Sequence, residues 1–142
     1  MSLTNDAIAA LVRDDSVHKR VYTDPHLFDL EMARIYGRAW IYVGHESQVP
    51  EVGDYHTTRV GDQDVILVRT TDGEVAVLYN RCAHKGAKLV TQERGSVGRL
   101  FRCPYHAWTF RLDGRHQALP LRAGLAGTDY RVDHPDFSMR PL

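Results

Sequence analysis

Two cysteines are the whole thiol content of this 142-residue chain. That is too few for the disulfide framework of a small secreted domain, so a reducing compartment, the cytoplasm, is expected. No charge of one sign is in surplus: 18 Lys and Arg stand against 18 Asp and Glu. The balance therefore gives no case for nucleic acid or an anionic membrane as partner. Long apolar runs are missing too; none approaches the ~20 residues of a membrane span. The opening MSLTNDAIAALVRDD lacks the basic-then-apolar layout of a leader peptide. Nor is there an internal repeat or a low-complexity tract. What is present, 43% hydrophobic and 25% charged residues, is ordinary globular composition. The length suits one domain burying roughly two thirds of its unfolded surface.

The first forty residues read as helical. Asn5 or Asp6 is placed to cap a short helix through Val12. In TDPHLFDLEMARIYG, Thr23 or Asp24 is the N-cap, Pro25 sits in the first turn and Gly37 is the stop. Leu27, Leu30 and Arg34 mark one line of that helix, and Phe28, Met32, Ile35 and Tyr36 a broader apolar band that calls for a partner. From Trp40 onward the signals are those of short strands. AWIYVGH is aromatic and β-branched, and Pro50 and Gly53 break the pattern after it. YHTTRV and VILVR follow, separated by a turn at GDQD. VILVRTTDGEVAVLYN reads as a hairpin with Asp72-Gly73 at its tip, and GRLFRCP with WTFRLDGR repeats the pattern, with a tip at Asp113-Gly114. Past Leu119-Pro120 the signal fades. The expected fold is mainly β, a small antiparallel sandwich or barrel-like domain preceded by short helices.

The two cysteines lie in matching stretches, RCAHKGAK and RCPYHAW. Each is followed by a histidine, giving Cys82-x-His84 and Cys103-x-x-His106, and then by a small residue, Gly86 or Ala107. Loops leaving a rigid β scaffold are where metal ligands are commonly held. Two thiolates and two imidazoles complete a four-ligand set. A structural zinc module accepts such a set, although zinc fingers place both cysteines before both histidines. An all-cysteine 2Fe-2S cluster needs four thiolates, which this chain does not have. A Rieske cluster uses two cysteines and two histidines.

The pattern CAHKGA…CPYHAW, with eighteen residues between His84 and Cys103, resembles the Rieske motif. The resemblance covers Trp40 to about Gly114. It implies a Rieske-type β-sandwich and a 2Fe-2S cluster as cofactor, with Cys82 and Cys103 on one iron and His84 and His106 on the other. Neutral imidazoles in place of two thiolates leave the oxidised cluster formally neutral, so it takes up an electron more readily than an all-cysteine cluster.

Respiratory Rieske proteins add a disulfide between the two loops. The matching positions here are Ala87 and Tyr105, and the place of their cluster-facing serine is taken by Trp108. With fewer hydrogen bonds to sulfur, the low-potential branch is implied, near about −150 mV. The preface DPHLFDLEMARIYGRAWIYVGHESQVPEVGDYHTTRVG is similar to the N-terminus of aromatic ring-hydroxylating dioxygenase α subunits. On this reading residues 1–38 are a helical segment that packs on a catalytic domain, and residues 39–142 are a Rieske domain short of its closing strands.

The mononuclear iron of that family needs two histidines and a carboxylate. The remaining histidines (His18, His26, His45, His56, His116 and His134) contain no pair four or five apart. That iron is therefore expected only in a missing or partner domain, and no residue here is read as catalytic. The implied partners are a reductase or ferredoxin as electron donor, and an oxygenase catalytic domain or neighbouring α subunit as acceptor. Assembly into a homo-oligomer is also compatible. A free-standing Rieske ferredoxin is the alternative. Between Arg81 and Arg102 lie six basic residues and one acidic, Glu93. Such a stretch can steer an acidic donor or simply form a solvated face.

Overall fold

The structure is a computed structural model and describes residues 3–132 and 134–142. The chain divides into two compact units, Met1–Ile41 and Tyr42–Leu142.

The first unit is helical. α1 spans Asn5–Ala9 and is capped by Thr4, one residue earlier than expected, whose hydroxyl accepts from the Ala7 amide at 3.2 Å. It stops short of Val12, which instead forms an isolated antiparallel bridge with Val17. After α2 (Arg20–Thr23), Asp24 caps α3 (Pro25–Glu31) by accepting from the His26 amide at 3.0 Å. The same carboxylate pairs with Arg20 at 2.6 Å, and that guanidinium holds the Asp24 carboxyl below its ordinary range. α3 then widens into a π turn, Met32–Tyr36, ending at Gly37. Of the apolar band, Phe28, Ile35 and Tyr36 are exposed and Met32 is half-buried, whereas Leu27 is buried.

The stretch AWIYVGH is a correction to the sequence reading. Among the described residues it forms no strand, and Trp40 and Tyr42 are fully or largely exposed. β-branched and aromatic residues favour a strand only where a neighbouring ladder exists to pack and pair with, and none lies alongside here.

The second unit is an antiparallel β-sandwich. One sheet has the order β3-β2-β1-β4, from β1 (Asp54–Val60), β2 (Gln63–Arg69), β3 (Val75–Tyr79) and β4 (Arg94–Ser96). The other has the order β5-β6-β7, from β5 (Leu100–Arg102), β6 (Thr109–Arg111) and β7 (His116–Ala118). Both expected hairpin tips are present, and Gly73 and Gly114 each supply φ +87 there. Val65 to Val68 are buried in succession because β2 is central in its sheet and covered on both faces. Ile66, Val68 and Leu78 of the first sheet share one core with Phe101 and Phe110 of the second, and Cys82 and Cys103 belong to that core. Where the sequence signal fades, the chain returns to the outer edge of β3. Tyr79 donates to the Arg140 carbonyl and Leu142 to the Val77 carbonyl, both at 3.0 Å.

Candidate metal centre

The two cysteine loops have one backbone design. In the first, the Cys82 amide donates to the Ala87 carbonyl at 2.8 Å, and the Gly86 amide donates back to the Cys82 carbonyl at 2.9 Å. In the second, Cys103 donates to Trp108 at 2.8 Å and Ala107 donates back to Cys103 at 3.0 Å. The residue four after each cysteine is left-handed, Gly86 at φ +73 and Ala107 at φ +56. Glycine adopts that conformation freely; alanine does not. Ala107→Gly is therefore expected to stabilise the domain by about 0.5–1 kcal/mol, strain relief outweighing the added chain entropy. Urea denaturation of the two proteins checks this, and a lowered midpoint would refute it.

The loops sort their donors by depth. Cys82 and Cys103 are buried free thiols whose side chains face one another. Burial pushes the Cys82 thiol up. The backbone N–H groups of His84 and Lys85 act against that, and the Cys103 thiol adds to it. Those amide groups are already aimed at a sulfur that would bear negative charge. His84 is half-buried and His106 exposed, with ring centroids 4.8 Å apart. Burial, then the charges of His106 and Lys85, lower the His84 pKa and favour the neutral imidazole, the form that ligates metal.

This arrangement fits a binuclear cluster better than a single ion. Among the described residues no three His, Cys, Asp or Glu side chains converge where one ion could be held. A tetrahedral zinc clasp needs all four donors around one point. A Rieske cluster needs only two protein ligands per iron, thiols on one side and imidazoles on the other. The buried thiol pair and the outward imidazole pair have that division. Of the four residues singled out from the sequence, the structure brings Cys82 to Cys103 and His84 to His106.

Two neighbours of the site, Asn80 and His116, were not readable as functional, and Trp108 stood out only as filling the place of the respiratory proteins' serine. Asn80 is buried at the mouth of the first loop. Its amide donates to the Val90 carbonyl at 2.7 Å, and its carbonyl oxygen accepts from Leu89 and Val90 at 2.9 and 3.2 Å. A polar residue ending the run VAVLY was its only signal. Trp108 stacks on His84, centroids 4.7 Å apart and planes within 5°. His116 is 1% exposed in a cage of Trp108, Phe110, Tyr130 and Phe137. No spacing rule points to a lone buried histidine.

His116 makes stability depend on pH. Burial lowers its pKa below the ordinary 6.5, opposed in part by backbone groups of Val132 and Ala118. The unfolded chain therefore takes up this proton near pH 6.5, and the folded protein only further down. Its stabilising contribution is complete above that point and is lost as pH falls toward the folded-state value. Urea midpoints of wild type should drop between pH 7 and 5 more than those of His116→Leu; parallel curves would refute the assignment.

The Rieske 2Fe-2S domain description matches residues 39–129, which include both loops. The chain belongs to the Rieske 2Fe-2S domain family. This Rieske domain is 40% identical over 119 residues to the glycine betaine monooxygenase oxygenase subunit of Chromohalobacter salexigens, covering 81% of this chain and 26% of that protein. It is also 40% identical over 121 residues to toluate 1,2-dioxygenase subunit alpha of Pseudomonas putida, with the same coverage. Naphthalene 1,2-dioxygenase from Rhodococcus sp. bound to indole superposes with a TM-score of 0.85 at 31% identity, covering 99% of this chain and 33% of that one. The quaternary ammonium Rieske monooxygenase CntA in complex with L-carnitine gives 0.76 at 31% identity, with 87% and 34% coverage. The chain thus spans about a quarter of the length of these curated relatives. The β-sandwich, the Rieske cofactor and the likeness to dioxygenase α subunits agree with the sequence reading.

Proposed function

We propose that Cys82 and Cys103 bind one iron of the cluster and His84 and His106 the other. The chain then serves as the one-electron relay of a ring-hydroxylating oxygenase, between a reductase or ferredoxin and a mononuclear iron held elsewhere. The observation that carries this is the pair of like-built loops presenting two buried thiols and two outward imidazoles. When bound, the cluster supplies reversible uptake of one electron at a potential above that of all-cysteine ferredoxins. The chain's own residues do the rest. The core around Phe101 and Phe110 keeps water from the thiols, backbone amides stabilise sulfur, and the outer imidazoles are placed to exchange protons with solvent.

The relatives' names include both toluate and glycine betaine enzymes, so the relay, common to all, is the function proposed here. An aromatic substrate for the oxygenase rests on the resemblance of the N-terminal segment to dioxygenase α subunits. Arg81, Lys85, Arg99 and Arg102 are exposed and make no salt bridge among the described residues. A cleft of about 1250 Å³ beside the first loop adds Arg111, Arg115 and Arg140, against Asp113 and Asp136. That excess of cations supports an acidic electron donor. Residues 1–38 are read as the part that meets the catalytic domain, which accords with exposed Phe28, Ile35 and Tyr36. No helix among the described residues is long and apolar enough to cross a membrane. A cytoplasmic location fits the two-cysteine composition, while a homo-oligomer whose neighbouring subunit accepts the electron rests on the resemblance to dioxygenase α subunits.

Anaerobic purification with iron and sulfide analysis, and EPR before and after dithionite, tests the reading. Two irons, two sulfides and a reduced signal with mean g below the free-electron value are expected. A colourless, zinc-containing, EPR-silent protein after reconstitution would overturn it in favour of a structural clasp. Reduction by a reductase without oxygen consumption on adding any oxygenase partner would favour the free-standing carrier.

A further inference from the structure

We propose that Trp108 is the positioning residue of this site: it straps the second loop to the first and fixes the ring plane of His84. The proposal rests on the reading of His84 as a cluster ligand.

The two loops have no covalent link, since Ala87 and Tyr105 stand where a bridging disulfide would be. Yet their ligands must hold one geometry before and after each electron. His84 lies on a half-exposed loop, where an imidazole is free to rotate about two bonds unless something packs on its face. Trp108 does so from the other loop, parallel to within 5° and 4.7 Å away. The left-handed turn at Ala107, φ +56, immediately precedes it, and the Trp108 carbonyl accepts from Cys103 at 2.8 Å. The backbone that carries the indole is thereby tied to a candidate ligand of the other iron.

The indole is itself backed. His116 lies 4.9 Å behind it at 58° and Phe137 6.0 Å away at 74°. His116 is anchored on both sides: Tyr130 Oη lies 3.3 Å from its Nδ1, and its amide donates to Ser138 Oγ at 3.1 Å. The ladder slips between Thr109 and Phe110, so that Thr109 faces Ala118 while Phe110 faces His116, leaving Gln117 as an extra residue. Such a bulge re-aims the side chains around it, a device found beside active sites. Trp108 is only partly buried and spends one flat face on a ligand, which core packing alone does not call for.

The test uses the reconstituted, dithionite-reduced protein. Pulsed EPR reads the nitrogen couplings of the two histidine ligands, and bleaching in chelator reads cluster lifetime. In wild type, two histidine nitrogen couplings on a Rieske signal establish the underlying reading; their absence sinks that reading, whatever Trp108 does. Given that signal, Trp108→Leu should change one coupling, leave the other, and shorten the lifetime about tenfold. Trp108→Phe, which restores a flat ring, should recover most of both. His116→Ala should move the same coupling in the same direction, and His116→Phe should return it. If Trp108→Leu does not fold, the two His116 variants decide, since they leave both loops intact. Unchanged couplings and lifetime in Trp108→Leu, or in His116→Ala where that pair decides, would overturn the proposal. So would phenylalanine variants no better than their aliphatic counterparts.

Discussion

Cys103→Ser is expected to give a folded chain that holds no 2Fe-2S cluster, with iron content and visible absorbance falling to background. Cys103 is 3% exposed and shares its core with Phe101 and Phe110, so an oxygen in place of sulfur removes a soft ligand while barely changing volume. The fold should survive because both sheets pair through backbone bonds that do not involve the thiol. The histidine side of the site has the opposite signature. His84→Cys with His106→Cys supplies four thiolates, adding negative charge to whatever cluster assembles. The potential should then fall from the Rieske range, about −150 mV or above, toward the roughly −400 mV of all-cysteine ferredoxins. Protein-film voltammetry of wild type and double variant measures it. A cluster retained by Cys103→Ser with unchanged EPR, or a double variant at the wild-type potential, would remove these residues from the ligand set.

The two cysteine loops were legible in the sequence because the chemistry is sparse: two thiols, each followed closely by an imidazole, in a chain with no other cysteine. The hairpin tips at Asp72-Gly73 and Asp113-Gly114 were legible because positive φ demands a particular residue. Where the sequence misled, tertiary context decided. AWIYVGH has every strand preference and no strand to pair with. The helix ending at Gly37 was foreseen, but its last turn widens, and periodicity alone does not report a π turn. Asn80 and His116 escaped notice, and Trp108 stood out only as filling the place of a serine, because their contacts are with residues distant in sequence. Asn80 reaches Leu89 and Val90, and His116 meets Tyr130 and Phe137. Single-sequence patterns carry local periods, not such meetings. The edge pairing of Arg140 and Leu142 with β3 was hidden for the same reason.

The largest loss of stability outside the apolar core is expected from Asn80→Ala. This side chain closes the first loop like a pin: it leaves β3 at one end and binds the backbone of Leu89 and Val90 at the other, with Cys82 and His84 between. Its own amide donates to the Asp64 carbonyl at 2.9 Å, so the pin is set in the first sheet. Truncation leaves two amide N–H groups and one carbonyl without partners where Leu89 and Val90 are each 8% exposed. Each such group costs roughly 1–3 kcal/mol, less where water can reach it, so a total of about 3–5 kcal/mol is expected. Domains of this size have only about 5–15 kcal/mol in all. Asn80→Asp separates the two halves of the pin. A carboxylate still accepts from Leu89 and Val90 but faces the Val90 carbonyl with no proton to donate. Its loss should therefore be smaller than that of alanine at neutral pH, and should shrink further in mild acid as the carboxyl gains a proton. Urea unfolding of the three proteins at pH 7 and pH 5 measures this. An alanine variant within about 1 kcal/mol of wild type would mean that water replaces the amide. The first loop would then be held by Cys82, Gly86 and Ala87 alone.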